Sequence, residues 1–376
     1  VCLRGIAPEV DLDEADPASS MADELDLDSM DLISLYEALN DRTGLDLPRP
    51  IAFVMGGGGS LGASQVGMLQ ALNEHGVTPD MIIGTSAGAL NGAFLAADPF
   101  GGANQLSHLW PGFSRETFFP GSAWKSVRTL RTSKTYLFPN DELSEFINKH
   151  IPANTFEELE VPFVAMATDV DTRLSVALDT GDLRSALLAS TAIPVIFPPV
   201  ERDGRLLYDG GLVANLPIRQ ALKMNAASLV LLDCNAPGQR DPYPDSMSGV
   251  LEWTVRLMLR SQTTADLPYI SETLPVLSLP AAPKGTVSPL DFDSSVELMA
   301  AAYQASRTFL TNVHVDAPRL YRADPIPPDV DDPTLSTDSD PSEGSTKFDR
   351  SSRRSGKGPR KADKGTGAPN RAGDDL

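Results

Sequence analysis

Histidine, cysteine, basic residues and long apolar runs are all scarce in this chain of 376 residues. Its cysteines are Cys2 and Cys234, and two distant cysteines do not make a disulfide framework, so we expect a reducing compartment, the cytoplasm. The first residues lack the basic stretch followed by an apolar one that marks a signal peptide. The most apolar segment, residues 186–200, contains three prolines and is too short to span a bilayer. We therefore expect a soluble protein, or one that attaches peripherally to a membrane.

Positive charge is also in short supply. The chain has 31 lysines and arginines against 51 aspartates and glutamates, which gives a formal net charge of −20 at pH 7. This excess of negative charge argues against a general affinity for nucleic acid or for anionic lipid. The four histidines and the scattered carboxylates show no spacing typical of metal ligands, so we expect no metal site.

A serine between two glycines is the most informative feature that the chain does have. Residues 84–88 read Gly-Thr-Ser-Ala-Gly and directly follow the apolar run at 81–83. Because Gly84 and Gly88 have no β-carbon, they permit a tight strand-to-helix turn that exposes the Ser86 hydroxyl as a nucleophile. The following helix directs its N-terminal N–H groups towards that oxygen. The alternative is an ordinary helix start with Ser86 as the N-cap.

A glycine-rich segment, residues 56–62 with the sequence GGGGSLG, follows the strand predicted at 51–55. A phosphate-binding P-loop would end in Gly-Lys-Ser/Thr, which this segment lacks. A dinucleotide fingerprint fits Gly57, Gly59 and Gly62, but no acidic residue cleanly ends a second strand about 20 residues later. The other interpretation is an oxyanion hole whose backbone N–H groups face the Ser86 hydroxyl. The nearby G-x-S-x-G turn favours the oxyanion hole.

An aspartate followed by two glycines ends the strand predicted at 205–208. In Asp209-Gly210-Gly211 the carboxylate has no bulky side chain after it, so it is able to accept a proton from a serine. The alternative is a simple Asp-Gly turn between strands, which is the commonest use of this dipeptide.

Together, these three motifs resemble the patatin-like phospholipases, and the resemblance covers about residues 50–315. The segments 165–169 and 189–200 are also similar to that family. The resemblance implies that Ser86 is the nucleophile and Asp209 the general base, in a dyad without histidine. It further implies an oxyanion loop of Gly57, Gly58 and Gly59, with Gly62, Gly84, Gly88, Gly210 and Gly211 as the other motif glycines.

One position departs from the family pattern. Many members carry a basic residue where this chain has Leu61. We therefore expect anion binding at the loop to come from the backbone, without a side-chain contribution.

A catalytic triad is the alternative to the dyad. A Ser–Asp–His hydrolase in the usual chain order needs a histidine after its acid, and only His314 follows Asp209. The other histidines, His75, His108 and His150, have no evident catalytic partner in the sequence.

Apolar strands alternate with amphipathic helices, which predicts an α/β fold with a mainly parallel central sheet covered on both faces, the three-layer fold of the patatin-like family. We predict strands at 51–55, 80–83, 162–168, 174–178, 198–201, 205–208 and 228–233. We predict helices at about 62–75, 87–97, 103–110, 141–149, 183–191, 216–223, 247–262 and 294–312. The catalytic domain is expected to span residues 50–315.

The two ends of the chain differ from this core. Residues 1–48 resemble part of an acyl carrier protein, which implies a small helical segment and a 4′-phosphopantetheine arm on Ser29. The alternatives are a helix that simply begins with an Asp or Ser cap, and a truncated carrier module without function. Residues 324–376 are rich in Pro, Asp, Ser and Gly and then become basic, so we predict a disordered tail.

The expected function is a serine acyl hydrolase of the phospholipase A, lysophospholipase or esterase type. It would act on a lipid or ester through an acyl-enzyme and would need no cofactor. The alternatives are an acyltransferase with the same dyad and a non-catalytic lipid-binding protein. The aromatic residues between 99 and 140 are expected to form a lid or acyl pocket, or else to pack as a satellite of the core.

Overall fold

Parallel strands dominate the sheet of this protein. The strands are β1 (Ile51–Met55), β2 (Met81–Thr85), β3 (Phe163–Asp169), β4 (Ser175–Leu178), β5 (Val200–Arg202), β6 (Arg205–Asp209), β7 (Ser228–Leu232), β8 (Val276–Ser278) and β9 (Leu320–Arg322). Each strand is hydrogen-bonded to the next along the path β5-β6-β3-β2-β1-β7-β8-β9, and β4 also pairs with β3. The pairs from β3 through β2, β1, β7 and β8 to β9 are parallel, whereas β4, β5 and β6 pair antiparallel with their neighbours.

The computed structural model describes residues 45–114, 135–151, 153–234, 244–282, 288–289 and 291–323. These residues all belong to the compact unit Val1–Pro327. Ser29 and the carrier-like segment up to residue 44 lie outside the described ranges, and so does the predicted tail 324–376. Both expectations therefore stay predictions.

Helices cover both faces of the sheet. They are α1 (Ala63–Glu74), α2 (Ala87–Ala97), α3 (Gly102–Leu109), α4 (Asp141–His150), α5 (Leu183–Ser190), α6 (Gly211–Ala214), α7 (Ile218–Lys223), α8 (Met247–Ser271) and α9 (Ser295–Asn312). Alternate side chains of β1 enter two apolar clusters, Phe53 with α1, α2 and α9, and Val54 with α7 and α8. This burial on both faces explains why β1 is apolar throughout. Within the described ranges, no helix has the length and apolar character needed to cross a membrane.

The predicted elements agree well with these bounds. All seven predicted strands and all eight predicted helices are present, so the α/β fold with a mainly parallel sheet is confirmed. The sequence analysis missed β8, β9 and α6, which have three or four residues each and show too little periodicity to detect. Helix α8 continues past its predicted end at 262, because Leu267 and Ile270 still pack against the sheet. Strand β9 lies beyond residue 315, where the sequence places the end of the domain.

Candidate active site

The G-x-S-x-G pentapeptide forms the turn between β2 and α2. Ser86 has φ 54° and ψ −122°, a conformation that is uncommon for a residue with a side chain and destabilises the fold by about 1–3 kcal/mol. Close packing requires both flanking glycines. A Cβ on Gly88 would lie 2.4 Å from the Met55 carbonyl oxygen, and one on Gly84 would lie 2.5 Å from the Gly88 carbonyl oxygen. The Ser86 side chain makes no capping hydrogen bond to α2, so its hydroxyl remains available for other contacts.

Strand β3 brings the serine and the aspartate together. Its residue Met166 is paired with Thr85, the last residue of β2, and its next residue, Ala167, is paired with Asp209, the last residue of β6. Because β4 occupies the other edge of β3, β2 and β6 lie end to end along one edge. β2 runs parallel to β3 and β6 runs antiparallel to it, so their carboxyl ends meet. Ser86, which follows Thr85, and Asp209 are therefore neighbours.

The Asp209 carboxyl is buried and hydrogen-bonded. It is 6% exposed, and its Oδ1 accepts the Gly211 N–H at 2.7 Å. Burial raises the pKa of Asp209 to about 6, although interactions with the Ser86 side chain and the Gly211 N–H partly oppose that rise. A carboxyl with this pKa is ionised at neutral pH and is also able to hold a proton for a time, as a general base must.

The glycine that follows the aspartate is required by a close approach of β3. A Cβ on Gly210 would lie 2.4 Å from the Met166 carbonyl oxygen. Any larger residue at this position would push the Asp209 turn away from the end of β2. The first glycine of Asp-Gly-Gly is thus explained by its packing against the strand that also positions Ser86.

The glycine-rich loop presents backbone N–H groups beside Ser86. The Gly57 N–H is engaged, since it donates to the Asn215 carbonyl oxygen at 3.2 Å. The N–H groups of Gly58 and Gly59 have no recorded acceptor among the described residues. Gly59 lines the same pocket as Ser86. Of the three predicted oxyanion-loop glycines, Gly58 and Gly59 therefore have amides that are able to bind an anion.

The loop is held between two neighbouring segments. A Cβ on Gly58 would lie 2.5 Å from Cys234 Cβ, and Gly59 has φ 59° and lies against the Pro289 carbonyl oxygen. Further along, a Cβ on Gly62 would lie 2.8 Å from that of Ala87, at the start of α2. The side chain of Leu61 is buried in the core, and the expectation that the backbone of this loop binds an anion stays a prediction.

The histidines do not contribute to this arrangement. The recorded partners of the Asp209 carboxyl are Ser86 and the Gly211 N–H, and all four histidines are among the described residues. His314 is exposed and interacts electrostatically with Asp316. His75 contacts α1 and α9, where its ring nitrogens lie near the Ala71 carbonyl and the Thr311 hydroxyl. No contact in the described part of the chain supports a triad through His314.

An open apolar pocket lies beside Ser86, and the space within it, together with its solvent-filled mouth, is about 610 Å³. It follows one face of α2, where Ala87, Leu90, Asn91 and Phe94 line it at the helical spacing of three and four residues. The other apolar lining residues are Leu106, Trp110, Phe113, Leu143, Phe146, Ile193, Phe197 and Phe292. A lining of this kind suits a hydrocarbon chain.

The polar groups inside the pocket wall are satisfied by the protein. Asn91 donates to Gln65 Oε1 at 2.9 Å and accepts the Trp110 indole N–H at 3.0 Å. Trp110 and Phe113 come from the aromatic segment predicted to form an acyl pocket or a satellite of the core. They line the pocket beside Ser86 and also pack on the core, and binding of an acyl chain there stays a prediction. Phe118, Phe119 and Trp124, from the same segment, lie outside the described residues.

Polar residues that the sequence analysis did not single out also hold the site. The Asn215 N–H donates to Gln262 Oε1 at 3.2 Å, and the same Gln262 side chain donates to the Leu212 carbonyl at 3.1 Å. Ser190 accepts the Ser86 N–H at 3.0 Å. Asn215 and Ser190 are buried polar residues within apolar stretches, which is the signal that could have identified them, because such groups are retained only with hydrogen-bond partners.

The fold and the site define an α/β protein with a serine–aspartate pair at the meeting point of two strand ends. Residues 53–222 match the family described as patatin-like phospholipase, so this part of the chain is similar to that family.

Among curated proteins, the chain is 32% identical over 205 residues to patatin-like phospholipase domain-containing protein 7 of Mus musculus. The aligned region covers 53% of this chain and 15% of that protein. It is 30% identical over 234 residues to an uncharacterized NTE family protein of Mycobacterium tuberculosis, which covers 60% of this chain and 59% of that protein. The chain thus spans less than two thirds of the length of either relative.

Two solved structures are similar over most of the chain. VipD from Legionella pneumophila aligns with a TM-score of 0.39 and 14% identity over 71% of this chain and 67% of that one. Human GIVD cytosolic phospholipase A2, in complex with methyl gamma-linolenyl fluorophosphonate, aligns with a TM-score of 0.41 and 13% identity over 73% of this chain and 61% of that one.

Proposed function

We propose that this protein is a serine acyl hydrolase that cleaves lipid esters, of the phospholipase A, lysophospholipase or esterase type. The observation that carries the proposal is the meeting of the carboxyl ends of β2 and β6 on β3, which places Ser86 beside the buried Asp209. The pKa of this carboxyl is raised to about 6. The pair lies beside an apolar pocket. Such a pair combines a nucleophile with its own general base.

In the proposed reaction, ionised Asp209 takes the Ser86 hydroxyl proton as the serine oxygen attacks the ester carbonyl carbon. The carbonyl oxygen becomes an oxyanion, and the N–H groups of Gly58 and Gly59 stabilise it. When the ester C–O bond breaks, Asp209 returns the proton to the departing alcohol. Water then attacks the acyl carbon of the acyl-enzyme, with Asp209 again as base. The bond between that carbon and the Ser86 oxygen breaks, Asp209 returns the proton to the Ser86 oxygen, and the fatty acid is released. The reaction requires no cofactor, since it involves only the ester, water and these residues.

The pocket favours a substrate with a hydrocarbon chain of limited length. A helix rises about 1.5 Å per residue, so the part of α2 from Ser86 to Phe94 spans about 12 Å. An extended carbon chain, with bonds of about 1.5 Å at the tetrahedral angle, advances about 1.25 Å per carbon. The pocket wall along α2 therefore accommodates about ten carbons in an extended conformation. Medium-chain acyl groups fit this length best.

The proposal is supported by the match of residues 53–222 to the patatin-like phospholipase family and by relatives whose names include that domain. Because the chain covers only part of those relatives, the substrate and the reaction are proposed from the site of this chain. Its acidic character, with a net charge of −20, favours uncharged or zwitterionic lipid over anionic lipid surfaces.

The test measures fatty-acid release from a series of p-nitrophenyl esters, from butyryl to palmitoyl, and from phosphatidylcholine vesicles. Ser86→Ala and Asp209→Asn are each expected to lower kcat by on the order of 10³-fold or more. The matched control is His314→Ala, which changes the triad candidate and is expected to retain wild-type activity. A wild type that neither hydrolyses any ester nor reacts with a fluorophosphonate would contradict the proposal. Loss of activity in His314→Ala equal to that in Asp209→Asn would contradict the dyad.

Transfer of the acyl group to another acceptor is the second proposal, and the carrier-like resemblance of residues 1–48 motivates it. Hydrolysis predicts that labelled acyl groups appear as free fatty acid. Transfer predicts that they appear on added lysolipid or on a pantetheine thiol. Mass spectrometry of the intact chain tests for the 4′-phosphopantetheine arm on Ser29 in the same samples.

A further inference from the structure

Ser190, the last residue of α5, lies directly beneath the nucleophile turn. Its side chain is fully buried. The Ser190 hydroxyl oxygen accepts the Ser86 N–H at 3.0 Å and donates its own proton to the Met166 carbonyl at 2.6 Å. It therefore connects the backbone of the nucleophile to β3, the strand that pairs with both β2 and β6.

The chain immediately after Ser190 holds the other member of the pair. The Asp209 N–H donates to the Ala192 carbonyl at 2.9 Å. On its other side, the Asp209 carbonyl accepts the Thr168 hydroxyl at 2.9 Å. The Ser190 side chain thus binds the backbone of Ser86, and two residues later the Ala192 carbonyl binds the backbone of Asp209.

The contact from Ser190 has a specific task because Ser86 is held at a positive φ of 54°. Such a conformation persists only when the surroundings over-determine it. The Ser86 N–H is buried in this turn, and without Ser190 it would have no acceptor among its recorded contacts in the described residues. Relaxation of the turn would satisfy that N–H elsewhere and rotate the hydroxyl away from Asp209.

We propose that residues 190–192 form a clamp on the catalytic pair, in which Ser190 is a positioning residue that holds Ser86 in its reactive conformation beside Asp209. This inference rests on the proposed function. Ser190 does not touch the substrate, since it lies on the protein side of Ser86 and is absent from the pocket lining. Its loss is expected to slow the chemical step and to leave substrate binding in the pocket intact.

The matched control is Ser228, which is equally buried and also donates its hydroxyl to a backbone carbonyl, that of Pro48 at 2.6 Å. It is paired with Ile51 at the start of β1, at the opposite end of the sheet from the site. Ser190→Ala and Ser228→Ala therefore each remove one buried hydroxyl from the same fold. Their urea unfolding midpoints report the purely structural loss in each variant.

The experiment compares kcat and KM for p-nitrophenyl decanoate, and the rate of fluorophosphonate labelling, in the wild type and both variants of the full chain. Ser190→Ala is expected to lower kcat and the labelling rate by about 10²-fold, which is the effect of a small misplacement of a reacting group. The KM of Ser190→Ala is expected to remain at the wild-type value. The kcat, KM and labelling rate of Ser228→Ala are also expected to remain at wild-type values. Ser190→Cys, which keeps a weak hydrogen-bonding group, is expected to recover part of the rate and also serves if Ser190→Ala does not fold.

The possible results separate this inference from the proposed function. An active wild type with equally active Ser190→Ala would overturn the clamp and leave the hydrolase intact. Equal losses in the Ser190→Ala and Ser228→Ala variants would also overturn it, because they would indicate a general loss of stability. If the wild type itself is inactive, the proposed function fails, and crystal structures of the wild type and Ser190→Ala decide the clamp. Retention of the Ser86 turn and its contact with Asp209 in the variant would refute it.

Discussion

Replacement of Asp209 by asparagine is expected to stabilise the fold while it abolishes catalysis. Burial raises the pKa of this carboxyl from 3.8 to about 6. That shift of about 2 units corresponds to about 3 kcal/mol at a pH above both values. The folded chain binds the proton of Asp209 more tightly than the unfolded chain does. The stabilisation of the fold that this proton provides is therefore fully present below about pH 4, and it is lost as the pH rises to about 6, where the folded carboxyl ionises.

Asparagine has nearly the same shape and stays neutral at every pH. Its side-chain oxygen is able to accept the Gly211 N–H, which lies 2.7 Å from Oδ1 in the wild type. Urea unfolding of both proteins between pH 4 and pH 8 measures the effect. From pH 4 to pH 8, the free energy of unfolding of Asp209→Asn is expected to rise by about 2 kcal/mol relative to that of the wild type. The change with pH is the relevant quantity, because it cancels pH-independent effects of the substitution.

Asp169 provides a control with the opposite sign. It accepts the N–H groups of Asp171 and Thr172, both at 2.9 Å, and the Thr172 N–H is the main contact that holds its pKa below the usual value. Its stabilising effect is present above the unfolded pKa and is lost as the pH falls. The free energy of unfolding of Asp169→Asn is therefore expected to lie furthest below that of the wild type near neutral pH. A stability difference between wild type and Asp209→Asn that stays constant from pH 4 to pH 8 would refute the reasoning.

Three further outcomes are expected. Gly88→Ala is expected to abolish fatty-acid release, because the new Cβ would lie 2.4 Å from the Met55 carbonyl oxygen; ester assays with circular dichroism on the same samples test this. In the wild type, kcat/KM is expected to fall about tenfold per pH unit below about pH 6, since protonated Asp209 cannot act as a base; a flat acid limb would contradict it. Leu90→Trp is expected to shift the preferred ester from decanoyl towards butyryl, because the indole would fill the pocket beside the serine; the p-nitrophenyl series measures the shift, and an unchanged preference would exclude this pocket as the acyl site.

The motifs were predictable because their requirements are local. Gly84 and Gly88 allow one turn, and Gly210 allows one close approach, so the glycines mark these positions in the sequence itself. The strands β1, β2 and β3 are long enough, and apolar enough, to be recognised one by one. The same local features predict Ser86 and Asp209 as candidates, although nothing local says that they are neighbours.

The remaining features depend on contacts between distant parts of the chain. Ser86 and Asp209 meet because β2 and β6 pair with successive residues of β3, and no local pattern encodes that register. The hydrogen bond from Ser86 to Ser190 joins residues 104 positions apart. The engagement of the Gly57 N–H by Asn215 likewise leaves Gly58 and Gly59 as the two predicted oxyanion glycines whose N–H groups have no recorded acceptor among the described residues. Such contacts become visible only when the sheet is assembled.

The position of β1 in the centre of the sheet has a consequence for synthesis on the ribosome. Each residue of β1, from Ile51 to Met55, pairs with a residue of β7, and the Leu232 carbonyl accepts the Gly56 N–H at the base of the glycine loop. A polypeptide limited to residues 53–222 would lack β7 and would leave β1 with an open edge, which promotes aggregation. The nascent chain is therefore unable to complete the loop beside Ser86 until Leu232 has left the ribosome. A chain interrupted before that residue would carry every predicted catalytic residue and would still lack the contact that completes the glycine loop.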